Sequence, residues 1–70
     1  MEDKRFIDAI ETIISALEQR GYNAYSQIYG YLEENDPLYI TSYKGARDII
    51  QDLDKSMIKQ YISKVKGELV

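Results

Sequence analysis

The side chains that could carry chemistry in this chain are carboxylates, lysines and tyrosines, because the sequence contains no Cys and no His. Their absence excludes zinc fingers, Fe–S sites and catalytic dyads built on either residue. Asp48, Asp52 and Asp54 come nearest to a metal cluster, but they lack the alternating ligands and central Gly of a calcium loop. The scattered glycines form no phosphate-binding loop. We therefore expect no catalytic residue, no metal, no cofactor and no enzyme.

Tyrosine is the unusual feature, with 7 in the chain, four of them between Tyr22 and Tyr31. Its large apolar body and polar tip suit protein interfaces. The same side chain also fills the edge of a small core, and both uses stay open. We predict an interaction surface built from this segment and part of the last helix, with these candidates: Tyr22, Tyr25, Tyr29, Tyr31, Ile58 and Ile62.

The size and composition indicate one small globular domain spanning residues 1–70, with 44% hydrophobic residues and a net charge of −3. No apolar run is long enough to cross a membrane, and the first residues do not form a secretion signal. These features predict a cytoplasmic protein without membrane insertion. A chain this short, lacking disulfides and metals, is often stabilised by a partner subunit, so we also expect a homodimer.

Apolar residues recur at helical spacing throughout the chain, which predicts an all-α domain. Asp3, Asn23 and Asp54 are the predicted N-caps, and Thr41 or Ser42 caps the third helix. Asp36 and Pro37 favour one extra turn before a short connector. The predicted helices form a compact four-helix domain: Lys4 to Arg20, Ala24 to about Glu34, Tyr43 to Leu53, and Lys55 to about Lys66.

The sequence supports specific predictions for two glycines. Gly30 lies inside the second helix, where it costs roughly 1 kcal/mol relative to Ala. Close approach of another backbone is the favoured explanation, ahead of a functional hinge. Gly67 is expected to stop the last helix, beyond which Leu69 and Val70 either dock or fray.

Charge divides unevenly along the chain. Residues 1–36 hold eight acids and three bases, a net −5, whereas residues 37–70 hold four acids and six bases, a net +2. Two explanations of this division stay open. The charges lie on ordinary solvated helix faces, or the acidic half of one subunit faces the basic half of a second subunit. Short helices and a lysine-rich fourth helix also fit a helix-turn-helix-like nucleic-acid-binding module. The acidic net charge makes nucleic acid the weaker alternative.

An ordered series of short motifs runs through most of the chain: Gly21-Tyr22-Asn23, Gln27-Ile28-Tyr29-Gly30-Tyr31, Asp36-Pro37-Leu38-Tyr39 and Tyr43-Lys44-Gly45-Ala46-Arg47. Together they resemble the IreB family of small bacterial regulatory phosphoproteins over about residues 5–66. The resemblance implies an all-helical, non-enzymatic cytoplasmic homodimer. It also implies signalling with a protein partner or a transmembrane Ser/Thr kinase that senses the cell envelope.

The phosphorylation role of that family does not map onto this sequence. Family members carry an N-terminal segment with threonines that the kinase modifies, whereas this sequence starts close to its first helix. Its only threonines are Thr12, inside the first helix, and Thr41, in the connector. We therefore expect no residue here to inherit the phosphosite.

Overall fold

Four α-helices form the fold in the computed structural model, which describes residues 3–66. They are α1 Lys4–Gln19, α2 Ala24–Glu34, α3 Ala46–Gln51 and α4 Lys55–Lys66. Two single 3₁₀ turns, Pro37–Tyr39 and Tyr43–Gly45, separate α2 from α3, and no strand occurs among residues 3–66. The predicted all-α four-helix architecture is confirmed. The expectations for Gly67, Leu69 and Val70 lie outside the described residues.

Short polar side chains cap α1, α2 and α4, as predicted. The predicted cap of the third helix at Thr41 or Ser42 is wrong, because α3 begins after Gly45, which offers no side chain to cap it. Asp3 Oδ1 accepts a hydrogen bond from the Arg5 amide at 3.0 Å, and Asn23 Oδ1 accepts one from the Ser26 amide at 3.0 Å. At the start of α4, Asp54 Oδ1 accepts from the Met57 amide at 3.2 Å. Each bond satisfies an amide that has no partner within the helix.

The third helix begins later than its apolar pattern indicates, so the predicted start at Tyr43 is wrong. Lys44 (φ 55°) and Gly45 (φ 74°) both adopt left-handed backbone conformations, which confine Tyr43–Gly45 to a 3₁₀ turn. The Tyr43 amide donates to Thr41 Oγ1 at 3.1 Å. The spacing of apolar side chains does not reveal this left-handed turn, because the apolar stripe continues through it.

The core is built from aliphatic side chains of every helix. The largest side chains without solvent exposure are Ile10, Ile13, Leu17, Ile28, Ile40, Ile50, Ile58 and Ile62. Burial of each contributes roughly 1.5–3 kcal/mol relative to full exposure. The rings of Phe6 and Tyr61 pack edge to face, with centroids 6.2 Å apart, and this contact joins α1 to α4. Within residues 3–66, every helix is too short or too polar to span a bilayer.

The connector after α2 packs on that helix and explains Gly30. A Cβ atom at Gly30 would lie 2.5 Å from two carbons of the Tyr39 ring. The close neighbour is therefore an aromatic side chain, and the expected backbone approach is wrong. Gln27 Nε2 donates to the Tyr39 carbonyl at 2.8 Å, and Arg47 Nε donates to the Ile40 carbonyl at 2.9 Å. These two bonds hold the connector against α2 and α3.

Candidate protein-interaction surfaces

Three of the predicted interface residues belong to the core of the single chain. Tyr31 is 2% exposed, and Ile58 and Ile62 are fully buried. These side chains have almost no surface to offer a partner while the chain is folded as described. Ile58 and Ile62 belong to the apolar stripe of α4 and Tyr31 lies on α2, but only the tertiary structure shows which apolar positions face inward.

The other three predicted residues retain accessible surface to different extents. Tyr22, in the loop between α1 and α2, is 48% exposed, and Tyr29 on α2 is 37% exposed. Tyr25 is half-buried and packs against the core cluster. The six candidates therefore do not form one surface, and Tyr29 lines a groove with α4.

The tyrosine–lysine groove lies between α2 and α4. It is lined by Tyr29, Leu32, Glu33, Lys55, Ser56 and Lys59. The Lys55 ammonium lies 5.1 Å from the centroid of the buried Tyr31 ring, an arrangement in which the ring attracts the cation. The groove thus combines an exposed aromatic ring and a half-buried leucine with two lysines.

A second groove lies between α1 and α4, and we call it the methionine groove. Its apolar lining consists of Phe6, Ile7, Met57 and Tyr61, and its polar lining consists of Asp3, Gln60 and Lys64. Met57 is 38% exposed, and methionine adapts readily to different partner shapes. Sequence reasoning missed this groove. The available signal was the i, i+4 spacing of Met57 and Tyr61 on the flank of the α4 stripe.

Tyr43 forms a third exposed feature, which was not predicted from the sequence. Its hydroxyl donates to Gln19 Oε1 at 3.3 Å. The Arg20 guanidinium lies 5.3 Å from the ring centroid and the Lys44 ammonium 5.6 Å from it. These contacts join the turn before α3 to the end of α1. The cluster therefore positions the left-handed Lys44–Gly45 segment.

Both threonine hydroxyls make local backbone contacts. Thr12 Oγ1 donates to the Asp8 carbonyl at 2.9 Å, one helical turn earlier, and Thr41 Oγ1 accepts from the Tyr43 amide. Phosphorylation of either hydroxyl would disturb the local bond it makes. Thr12 lies inside α1, so it is not in an extended segment of the kind that a kinase cleft binds.

The chemistry offered by these surfaces is apolar burial and ion pairing. Among the described residues, no polar or charged side chain is buried, and no group of three or more carboxylates could hold a metal ion. Contact with another macromolecule is the use that fits exposed aromatic, aliphatic and lysine side chains. In comparison with known families, the model of the IreB regulatory phosphoprotein matches residues 1–65 of the chain.

Proposed function

This chain belongs to the IreB regulatory phosphoprotein family, and we propose that it is a non-enzymatic cytoplasmic regulator that acts by protein–protein contact. The family match over residues 1–65 is the observation that carries the proposal. The exposed grooves on either side of α4 support it, because they offer apolar side chains at the surface. We place the protein in the signalling of a transmembrane Ser/Thr kinase that senses the cell envelope.

A genetic experiment tests the pathway assignment. Strains lacking this protein, the kinase, or both are compared for growth under cell-envelope stress. We expect loss of the protein to alter growth in the kinase-positive strain and to have a different effect when the kinase is absent. An identical effect of the deletion in both backgrounds would separate the protein from kinase signalling.

We further propose that the protein is a homodimer and that the methionine groove forms the contact. Because Ile58 and Ile62 are buried, the contribution of α4 shifts to Met57 and the half-buried Tyr61. A two-fold contact brings one patch against its own copy. One acid, Asp3, and one base, Lys64, also line this groove.

Self-association is expected to depend on Met57. Sedimentation equilibrium from low to high micromolar concentration should show a dimer for the parent chain and mainly monomer for Met57→Glu, because the variant places a charge in the apolar contact. Ser63→Glu is the matched control, since Ser63 is exposed on the same helix and does not line the groove. A monomeric parent chain at all concentrations would contradict the dimer. A dimeric Met57→Glu chain would place the contact elsewhere.

The folded chain is expected to be a poor substrate for Ser/Thr kinases at Thr12. The hydroxyl is bonded to the Asp8 carbonyl within α1, so a kinase cleft would have to unfold a helical turn to reach it in extended form. Mass spectrometry after kinase treatment should find little phosphate on Thr12 in the folded chain and more in a denatured sample. Stoichiometric phosphate on Thr12 of the folded chain would refute this expectation.

A further inference from the structure

We propose that the tyrosine–lysine groove binds an acidic segment of a partner protein, one that carries an apolar side chain between its carboxylates. This binding surface is distinct from the proposed dimer contact, because the groove lies between α2 and α4 whereas the methionine groove lies between α1 and α4. The inference does not depend on self-association.

Charge complementarity identifies the sign of the occupant. Lys55 and Lys59 are one helical turn apart on α4, and both are exposed and line the groove. The sequence from Lys55 to Lys66 contains four lysines and no acid, so no carboxylate of the same helix neutralises them. Residues three or four apart lie on the same helix face, which lets both ammonium groups contact one acidic segment.

The apolar part of the groove indicates that the occupant also carries an apolar side chain. Tyr29 is 37% exposed, and Leu32 lies one turn away and is half-buried. Tyrosine is enriched among residues that dominate binding energy, particularly where water is excluded around them. An apolar side chain of the partner that covers Tyr29 and Leu32 would bury surface that is now solvated.

One lysine is already positioned for this role. The Lys55 ammonium lies 5.1 Å from the Tyr31 ring centroid, and Tyr31 is fixed in the core. The contact restricts the lysine side chain before any partner arrives, which lowers the entropy lost on binding. Lys59 then supplies the second charge from the next turn of α4.

A protein segment fits this groove better than a nucleic acid. The groove is lined by two lysines and one acid, Glu33, and this net charge of +1 suits a few carboxylates better than a run of phosphates. Nucleic-acid binding rests on many phosphate contacts and an extended basic face, whereas this groove presents two lysines beside an apolar floor. Two charges and one apolar anchor match a short acidic peptide.

Fluorescence anisotropy with a synthetic peptide tests the proposal. The probe is a short fluorescein-labelled peptide with glutamates on both sides of a central Phe-Leu pair. Two further probes replace the glutamates by lysines or the Phe-Leu pair by Ala-Ala. We expect the full chain to bind the acidic Phe-Leu peptide most tightly and to bind it less tightly as salt is raised, because salt screens exposed charges.

Charge reversal and a matched control locate the binding. The double variant Lys55→Glu, Lys59→Glu should weaken binding at least about tenfold, which corresponds to about 1.4 kcal/mol. Tyr29→Ala should weaken it while leaving the helical circular dichroism spectrum unchanged. Lys4→Glu is the control for charge, because Lys4 is exposed on α1 outside the groove. It should leave binding within about twofold of the parent chain.

The same experiments contain the outcomes that would overturn the proposal. Equal weakening by the double variant and by Lys4→Glu would show a nonspecific charge effect. Absence of binding to the acidic Phe-Leu peptide, or equal binding to the lysine peptide, would refute an acidic occupant. The groove would be assigned to nucleic acid if the chain bound mixed-sequence DNA at low salt more tightly than the peptide and if this binding depended on the two lysines. If the parent chain is a dimer and the double variant is a monomer, the groove would be assigned to contact with a second copy of the chain.

Discussion

Replacement of Gly30 by Leu is expected to destabilise the protein by about 1–3 kcal/mol or more. At an ordinary helix position this change would increase stability, because Gly is the poorer helix former. Here a Cβ atom alone would lie 2.5 Å from the Tyr39 ring, and the ring belongs to a connector held by the bond from Gln27 Nε2 to the Tyr39 carbonyl. The larger side chain therefore has to displace the Tyr39 ring from its position against α2.

Thermal melts of four variants distinguish this explanation from a general effect of added leucine: Gly30→Leu, Ser26→Leu, Tyr39→Ala, and Gly30→Leu combined with Tyr39→Ala. Gly30→Leu should lower Tm by roughly 4–8 °C for each kcal/mol lost in a domain of this size. Ser26→Leu places the same side chain on an exposed position of α2 and should change Tm much less. In a Tyr39→Ala background, the further cost of Gly30→Leu should shrink, because the ring that it meets is gone. A Gly30→Leu chain as stable as the parent would contradict the packing account.

Replacement of Ile58 by Ala is expected to lower the free energy of unfolding by about 2–5 kcal/mol, since the side chain is fully buried and its loss leaves a cavity. That is a large fraction of the stability of a small domain. Its neighbour Met57 is 38% exposed, so Met57→Ala should cost less than about 1 kcal/mol. The adjacent pair thus separates a core role from a surface role on the same helix.

Urea unfolding measures the free energy of unfolding of both variants. The protein concentration is kept low enough for the chain to stay monomeric, so that association does not contribute. Ile58→Val, expected to cost about 0.5–1.5 kcal/mol, keeps the comparison measurable if Ile58→Ala does not fold. Equal costs for Met57→Ala and Ile58→Ala would show that the two side chains are equally buried in solution. A cost for Ile58→Ala that appears only at high concentration would place Ile58 in an interface between copies.

Local chemistry determined the elements that the sequence predicted correctly. Asp3, Asn23 and Asp54 cap their helices because a short carboxylate or amide reaches the nearby amides without help from the rest of the chain. Apolar periodicity likewise determined the existence of four helices, since a helix in water must bury one stripe of its surface. The family resemblance rested on the order of short motifs, and the match over residues 1–65 confirmed it.

Tertiary structure alone decided which apolar side chains remain at the surface. The α4 sequence marks Met57, Ile58, Tyr61 and Ile62 as apolar. Their division between core and groove depends on where α1 and α2 pack against that helix, which involves residues distant in sequence. For that reason Ile58 and Ile62 were predicted as interface residues, although they are buried.

The start of α3 and the role of Gly30 depended on the tertiary structure for the same reason. The left-handed Lys44 and Gly45 lie in a turn held to the end of α1 by Tyr43 and Gln19, and Gly30 faces a ring nine residues along the chain. Composition and periodicity determined that this is a small all-helical protein without Cys or His chemistry. Contacts between separate elements decided where its grooves lie, because a groove is a property of two packed helices and is not encoded in either one alone.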